Sequence, residues 1–451
     1  MLFVLQFFKF MRKYLLLLTF AIVLTLNLNS KHKLLQSGPM VGYCDFREVM
    51  LWVQTNQSAK VHFEYWEKSN PNKKYLTNSV ITKKVDAFTA KCIADSVIHD
   101  SKYDYSLFIN DEKVEFEYPT EFQTQQFWAY RKDPPNFKLV FGSGSFINDS
   151  THDRAGKPYG GEYHIFQSIH KYKPDLMIWG GDNIYLRESD ANTKTGIHYR
   201  YTQVRSLPEM QALLASTAHY AIWDDHDFGP NDSDRGFFNK SQTLEAFKLF
   251  WGNPSFGINN NPGTATMFSW GDIDFFLLDN RYYRTPNNIK TEKKTQLGAE
   301  QLQWLIDNLA FSKAPFKIIV MGGQFLNPLA EYENYSTYPE ERDYIIKKIT
   351  DEKISGVVFL TGDRHFSELA KLERSGTYPL YDFTASAFTS GNHGGPPEKN
   401  ELRVDGTFFN KRNFGVVEFS GKRKERVMTF KVIDANGKLI WEKQFKENEL
   451  K

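Results

Sequence analysis

Cysteine is almost missing from this chain: two residues, Cys44 and Cys92, in 451. Two thiols exclude a multi-cysteine metal cage and a disulfide framework; one bridge in an oxidising compartment or two buried free thiols both remain open. Excess charge is missing as well, since 56 Lys and Arg stand against 54 Asp and Glu for a net charge of +2. Nucleic-acid binding driven by bulk charge is thereby excluded. No apolar run reaches the roughly 20 residues that span a bilayer. There is no Walker loop, no HExxH, and no GxGxxG following a strand. Gly142-Ser143-Gly144-Ser145 lacks the order of a nucleophile elbow. Internal repeats and low-complexity tracts are absent too.

What is present begins with a leader. Lys9, Arg12 and Lys13 precede the apolar run Tyr14–Leu28, the pattern of a secretory signal peptide over residues 1–30. Met11 is an alternative start, small residues of the A-x-A type are missing around Ser30, and no Cys follows the run to carry a lipid. An exported, periplasmic or extracellular protein is expected, with no integral span once the leader is removed. The rest is of ordinary globular composition, with 41% hydrophobic, 16% aromatic and 24% charged residues.

Residues 38–118 alternate apolar and polar side chains in short segments: Glu48–Gln54, Lys60–Trp66, Ser106–Asn110 and Lys113–Tyr118. Period-two alternation at this spacing predicts a small N-terminal β-sandwich of fibronectin or immunoglobulin type. Residues 119–136, rich in Gln, Pro and aromatics, form the connector. From residue 137 to 451 the texture changes to continuous apolar runs, namely Leu139–Phe141, Leu176–Trp179, Tyr220–Trp223, Ile273–Leu278, Ile318–Met321 and Val357–Leu360. Such runs fit strands buried on both faces. Helical patterns at Tyr163–Tyr172, Thr243–Phe250, Ala299–Phe311 and Pro339–Ile349 separate them. The fold class is α/β, and Val416–Phe419, Val427–Val432 and Lys438–Trp441 close it with a terminal strand set.

Chemistry gathers where the buried runs end. Gly181-Asp182-Asn183-Ile184-Tyr185 follows one strand, and Asp224-Asp225-His226-Asp227 with Asn231 follows the next. Asp279-Asn280-Arg281 and Gly362-Asp363-Arg364-His365 follow two more. In open α/β sheets, ligands collect outside the carboxyl ends of strands. A single Gly-Asp is usually a turn and an acidic run usually a solvated loop. Four together are different, because converging carboxylates repel unless a cation sits among them. Oxygen donors mixed with imidazole and tyrosine suit Ca²⁺, Mn²⁺, Fe or Zn²⁺. His393, in the Gly391–Pro397 loop, is a minor candidate for touching substrate.

With those four segments in this order, the chain resembles the PhoD-type alkaline phosphatases and phosphodiesterases, relatives of the calcineurin-like metallophosphatases. The resemblance implies an N-terminal β-sandwich followed by a four-layer α/β/β/α metallophosphatase domain, two or more metal ions, and hydrolysis of small-molecule or lipid phosphate esters by metal-activated water. It implies that Asp182 bridges two metals, that Tyr185 binds one, and that Asn231, Asp363 and His365 bind the other. It further implies His226 as acid for the leaving group, with Asp225 as a participant, Asp224 orienting, and Arg281 as a phosphate-facing or structural guanidinium. One departure stands out. The family usually has a cysteine that binds iron at the position of Gly144. Fe³⁺ is therefore in question here, whereas Ca²⁺, Zn²⁺ or Mn²⁺ remain candidates, with Ser143, Ser145 or Asn148 as the expected source of oxygen. The competing expectation is a non-catalytic, exported calcium-binding protein that holds surface glycans or a partner.

Overall fold

The computed structural model describes residues 32–392 and 397–451. The expected leader and His393 lie outside them. The chain opens with β1 (Leu35–Cys44), β2 (Val49–Thr55), β3 (Lys60–Glu67), β4 (Lys74–Leu76), β5 (Val80–Ile81), β6 (Thr89–Ala94), β7 (Lys102–Ile109), β8 (Glu112–Lys113) and β9 (Glu121–Gln123). These strands divide between two sheets. β3, β4, β5, β7, β8 and β9 form one of six strands, while β1, β2 and β6 belong to a larger sheet. Alternation on β3 is clean, with Val61, Phe63 and Tyr65 buried against the core.

The second part begins with β10 (Phe137–Gly142), α1 (Ile165–Lys171), β11 (Leu176–Gly180), α2 (Lys194–Arg205), α3 (Gln211–Leu214), β12 (Ala218–Ile222), α4 (Asp225–Phe228) and α5 (Lys240–Phe250). It continues with β13 (Thr266–Trp270), β14 (Ile273–Leu277), α6 (Ala299–Phe311), β15 (Lys317–Met321), α7 (Pro339–Asp351), β16 (Val357–Thr361), β17 (Glu368–Leu372), β18 (Leu380–Thr384), β19 (Asn413–Ser420), β20 (Val427–Asp434) and β21 (Leu439–Lys446). One sheet has nine strands in the order β21-β20-β19-β10-β11-β12-β1-β2-β6, and the other six in the order β13-β14-β15-β16-β18-β17. The element types expected at most apolar runs are present. The structure adds β1, β6 and α2, and reduces the expected strand at Lys113–Tyr118 to the two residues of β8.

Strand β1 is the seam. It runs parallel to β12, in register at Val41 and Ala218, and antiparallel to β2. The strands predicted as half of a sandwich therefore continue the large sheet of the second part without a break.

The layers follow from side-chain alternation. Leu139, Phe141, Leu176 and Ile178 enter the core between the two large sheets, whereas Val140, Met177 and Trp179 face α1, α2 and α5. On the second sheet Phe275 meets Phe419 of the first at 6.3 Å, and its neighbour Phe276 meets Trp304 of α6 at the same centroid distance. Helices thus cover both outer faces, which gives the four-layer α/β/β/α arrangement. α7 starts with Pro339 and two glutamates, residues suited to a helix N-terminus, and buries Ile345 and Ile349 one turn apart.

Cys44 and Cys92 are buried and free. They lie on β1 and β6 with β2 between, and their partners across it, Val49 and Leu51, are offset. Two strand spacings put roughly 10 Å between such positions, beyond the roughly 7 Å that a disulfide bridges.

Asp382 on β18 links the sheet to the loop after β15. Its carboxylate accepts the N–H groups of Phe325 and Leu326 at 2.8 and 2.9 Å and the hydroxyl of Thr361 at 2.6 Å. Burial outweighs these bonds and pushes its pKa up to about 6. The unfolded value is about 3.9, so the folded chain holds the extra proton between these limits and loses stability as pH rises through them. Asp382→Asn should remove that component, about 2–3 kcal/mol in full, from stabilities measured by denaturant titration between pH 4 and 7. An unchanged slope would place the titration elsewhere.

Candidate metal centre

Parallel strands in both sheets end on the same side of the fold. β10 delivers Ser143 to Ser145, β11 delivers Asp182, β12 delivers Asp224 to His226, and β14 delivers Asp279 to Arg281. β15 delivers Gly322, β16 delivers Asp363 and His365, and β18 leads to Ser390. The strand ends are tied directly: Gly362 N–H donates to the Gly322 carbonyl at 2.6 Å, and Asp363 N–H donates to Ser143 Oγ at 3.2 Å. Asp182, Asp363 and His365 all adopt left-handed backbone, with φ of 51°, 64° and 54°. Such conformations cost energy and persist where the surroundings hold them.

Three sets of acidic and imidazole groups come within 4.8 Å of one another: Asp182 with Asp225 and His226, Asp224 with Asp225 and Asp363, and Asp225 with Asp232 and Glu333. Asp225 belongs to all three, a centrality that its place in an acidic run did not reveal. Tyr185 joins the first set to His365. Its hydroxyl lies 3.3 Å from Asp182 Oδ2 and 3.1 Å from His365 Nε2, although 180 residues separate Tyr185 from His365. The His226 ring sits 4.2 Å from that of Tyr185 and keeps a nitrogen 3.9 Å from Asp225. Asn231 is exposed, its side chain makes no hydrogen bond among the described residues, and the N–H of the next residue, Asp232, donates to Asp225 at 2.8 Å.

The charge in this pocket is severe. Burial, with Asp225, Asp224 and Asp363 around it, raises the Asp182 pKa well above the carboxylate range. Burial also pushes Asp363 up to about 8, against the pull of Arg364. Asp225 goes the other way, since His226 and Arg281 overcome its burial and hold it low.

Arg281 is fully enclosed. It pairs with Asp224 and Glu333 at 2.5 Å each, and Arg284 reaches Glu333 at 2.8 Å. At 0% exposure its guanidinium presents no face to solvent. Asp224, in turn, is wedged where two glycines let it approach. A Cβ on Gly181, whose φ is +95°, would fall 2.7 Å from the Asp224 Cβ, and one on Gly322 would fall 2.3 Å from its Cγ.

The donors suit hard and borderline cations. Oxygens Asp182 Oδ1, Asp224 Oδ2, Asp225 Oδ1 and Asn280 Oδ1 are buried without a hydrogen-bond partner. An unpaired buried acceptor costs about 1–3 kcal/mol, and more when charged, so several in one pocket call for a positive ion. The expected oxygen source is different from the sequence reading in part. Ser143 Oγ is occupied with Ser386 and Asp363, and Asn148 bonds Gly160 through both ends of its amide. Ser145 Oγ is buried and unpartnered.

Sequence reasoning also passed over Ser390, Tyr159 and Glu333. Ser390 Oγ lies 3.2 Å from Tyr185 Oη, and Tyr159 Oη lies 3.1 Å from His365 Nδ1. Ser390 lies past the end of β18 in a run of small and polar residues that carried no signal of its own. Glu333 had none, because its loop reads as solvated.

Comparisons with known proteins follow this geometry. A sequence profile described as PhoD-like phosphatase matches residues 150–425, and another, described as a domain of unknown function (DUF7800), matches residues 32–127. Alkaline phosphatase D of Bacillus subtilis (strain 168) is 26% identical over 271 residues, 51% of this chain and 46% of that relative's length. A solved structure of PhoD superposes over 94% of this chain and 92% of its own, with a TM-score of 0.76 at 19% identity. A purple acid phosphatase from yellow lupin (Lupinus luteus) seeds covers 91% of this chain and 74% of its own, with a TM-score of 0.67 at 10% identity. Both structures share the present fold.

Arg281→Met should leave Asp224 buried without its counterion and Glu333 with Arg284 alone. A loss of about 3–5 kcal/mol in unfolding free energy is expected, read by denaturant titration. A variant as stable as the parent would mean that the carboxylates had been neutralised by other means.

Proposed function

The chain belongs to the PhoD-like phosphatase family, and on that premise we propose that it is an exported, metal-dependent hydrolase of small-molecule or lipid phosphate esters. The observation that carries the reading is the meeting of Asp182 and His365, from different sheets, on the single hydroxyl of Tyr185, beside buried carboxylate oxygens with no partner. Two or more cations fit this donor set. Asp182, Tyr185 and His365 would hold one, so that His365 joins Tyr185 and not the second metal with which the resemblance grouped it; Asp225, Asp363 and the exposed Asn231 would hold the other. Ca²⁺, Zn²⁺ or Mn²⁺ matches the oxygen and imidazole donors.

Cations in such a site lower the pKa of an attacking water and neutralise charge developing on phosphoryl oxygens. The chain's own groups do the rest. His226 is half-buried at the edge of the cluster, where its imidazolium can give a proton to the leaving oxygen, a contribution of roughly 10²–10⁴-fold. Asp225 keeps a carboxylate oxygen 3.9 Å from the His226 ring nitrogen. Tyr159 fixes the His365 ring through Nδ1, which turns Nε2 toward Tyr185. The pair of Asp224 and Arg281 anchors the turn that carries Asp225 and His226. Residues 38–118 serve as a supporting sandwich for the catalytic part.

Exposed aromatic side chains at the site would bound the leaving group: Tyr159 beside His365, and Tyr332, whose ring lies over Arg364. Of the other aromatic pairs, Tyr282 is turned against Trp223 and Phe408 against Phe366, so they pack rather than line a cleft.

Turnover of p-nitrophenyl phosphate and bis-p-nitrophenyl phosphate, with and without chelator, tests the proposal. Activity should vanish on chelation, return with one cation, and fall at least 10³-fold in Asp182→Asn together with metal content. His226→Gln should lower turnover of alkyl phosphates, with their poor leaving groups, far more than that of nitrophenyl esters. Inertness under every cation would instead support a calcium-dependent binding protein.

A further inference from the structure

The turn after β10 leaves no room for a side chain. Gly144 has φ of +73°, and a Cβ there would lie 2.7 Å from Ser390 Oγ and 2.9 Å from the Ala387 Cβ. The volume that a residue at this position would take is filled from the end of β18 instead, by the Ser390 hydroxyl.

That hydroxyl is oriented. Its proton goes to the Gly144 carbonyl, with the oxygens 3.1 Å apart, and its lone pairs are left for the interior. Tyr185 Oη stands 3.2 Å away and His365 Nε2 3.3 Å away. Tyr185 Oη is itself 3.3 Å from Asp182 Oδ2 and 3.1 Å from His365 Nε2. Atoms that share a cation at about 2.0–2.2 Å stand about 3–3.5 Å from each other, which is the spacing found. Tyr185 has one proton for three acceptors, and Asp182 Oδ1 has no partner at all. All four residues are buried, Ser390 at 0% exposure.

We propose that Ser390 Oγ is a cation ligand that closes a four-donor pocket with Asp182, Tyr185 and His365, and that this pocket takes a divalent ion such as Mn²⁺ or Zn²⁺ in place of ferric iron. Only Asp182 and Tyr185 can supply negative charge in this set, and two negative charges in a dry pocket balance a doubly charged ion. The inference rests on the hydrolase reading only in placing a cation at this site.

The test is cation binding by the metal-depleted full chain. Mn²⁺ and Zn²⁺ titrations followed by calorimetry and by thermal shift should show at least tenfold weaker affinity in Ser390→Ala. Ser386→Ala, which removes a buried hydroxyl of the same loop that faces Ser143, should stay within about twofold. Ser390→Cys guards against a folding defect, since it keeps a donor and should shift preference toward Zn²⁺ over Mn²⁺. Incubation with ferric iron should develop no phenolate-to-iron absorption band in the parent. Equal affinity in Ser390→Ala and the parent, or a stoichiometric ferric band in the parent, overturns the proposal. Ser390-dependent binding without ester turnover would keep it and refute the hydrolase reading; turnover with Ser390-independent binding would do the reverse.

Discussion

Mutual repulsion among buried carboxylates is the constraint on which this structure turns. Asp182, Asp224, Asp225 and Asp363 are brought together at the ends of strands from two sheets, in a medium where like charges interact strongly. Among the described residues, Asp182 alone of these four makes no ion pair. Arg281 answers Asp224 and Glu333, and Arg364 answers Asp363 in part, while Asp182 is left to burial and its neighbours. The cluster could hold a metal ion, and the surrounding sheets keep its side chains in place.

The backbone bears the same imprint. Left-handed conformations at Asp182, Asp363 and His365, and close approaches at Gly181 and Gly322, all fall within the cluster. Parallel strands on both sides of the inter-sheet core aim their carboxyl ends at one place, so each loop needs only a few residues to reach it. Rigid strands then fix where the side chains emerge.

Much of this was legible in the amino-acid sequence, for a physical reason. Strands buried on both faces leave continuous apolar runs, and a carboxylate straight after such a run is conspicuous; Asp182, Asp224 and Asp363 were found that way. β1 was not, because Gly38, Pro39 and Gly42 interrupt its pattern and its neighbours in space are remote in sequence. Arg281 showed its residue type but not its burial. Ser390 and Tyr159 are ordinary residues whose meaning lies in the atoms across from them, at His365 and Tyr185. Glu333 became visible only through its pairing with two arginines.

Strand β1 also bears on how the protein can be cut. Its parallel pairing covers the flank of β12, the strand that leads into Asp224, Asp225 and His226. A fragment that began at the connector would bare a hydrogen-bonding edge of that sheet, beside the acidic turn itself. Open edges recruit other chains, and the amino-terminal strands move that edge away from the acidic turn, out to β6.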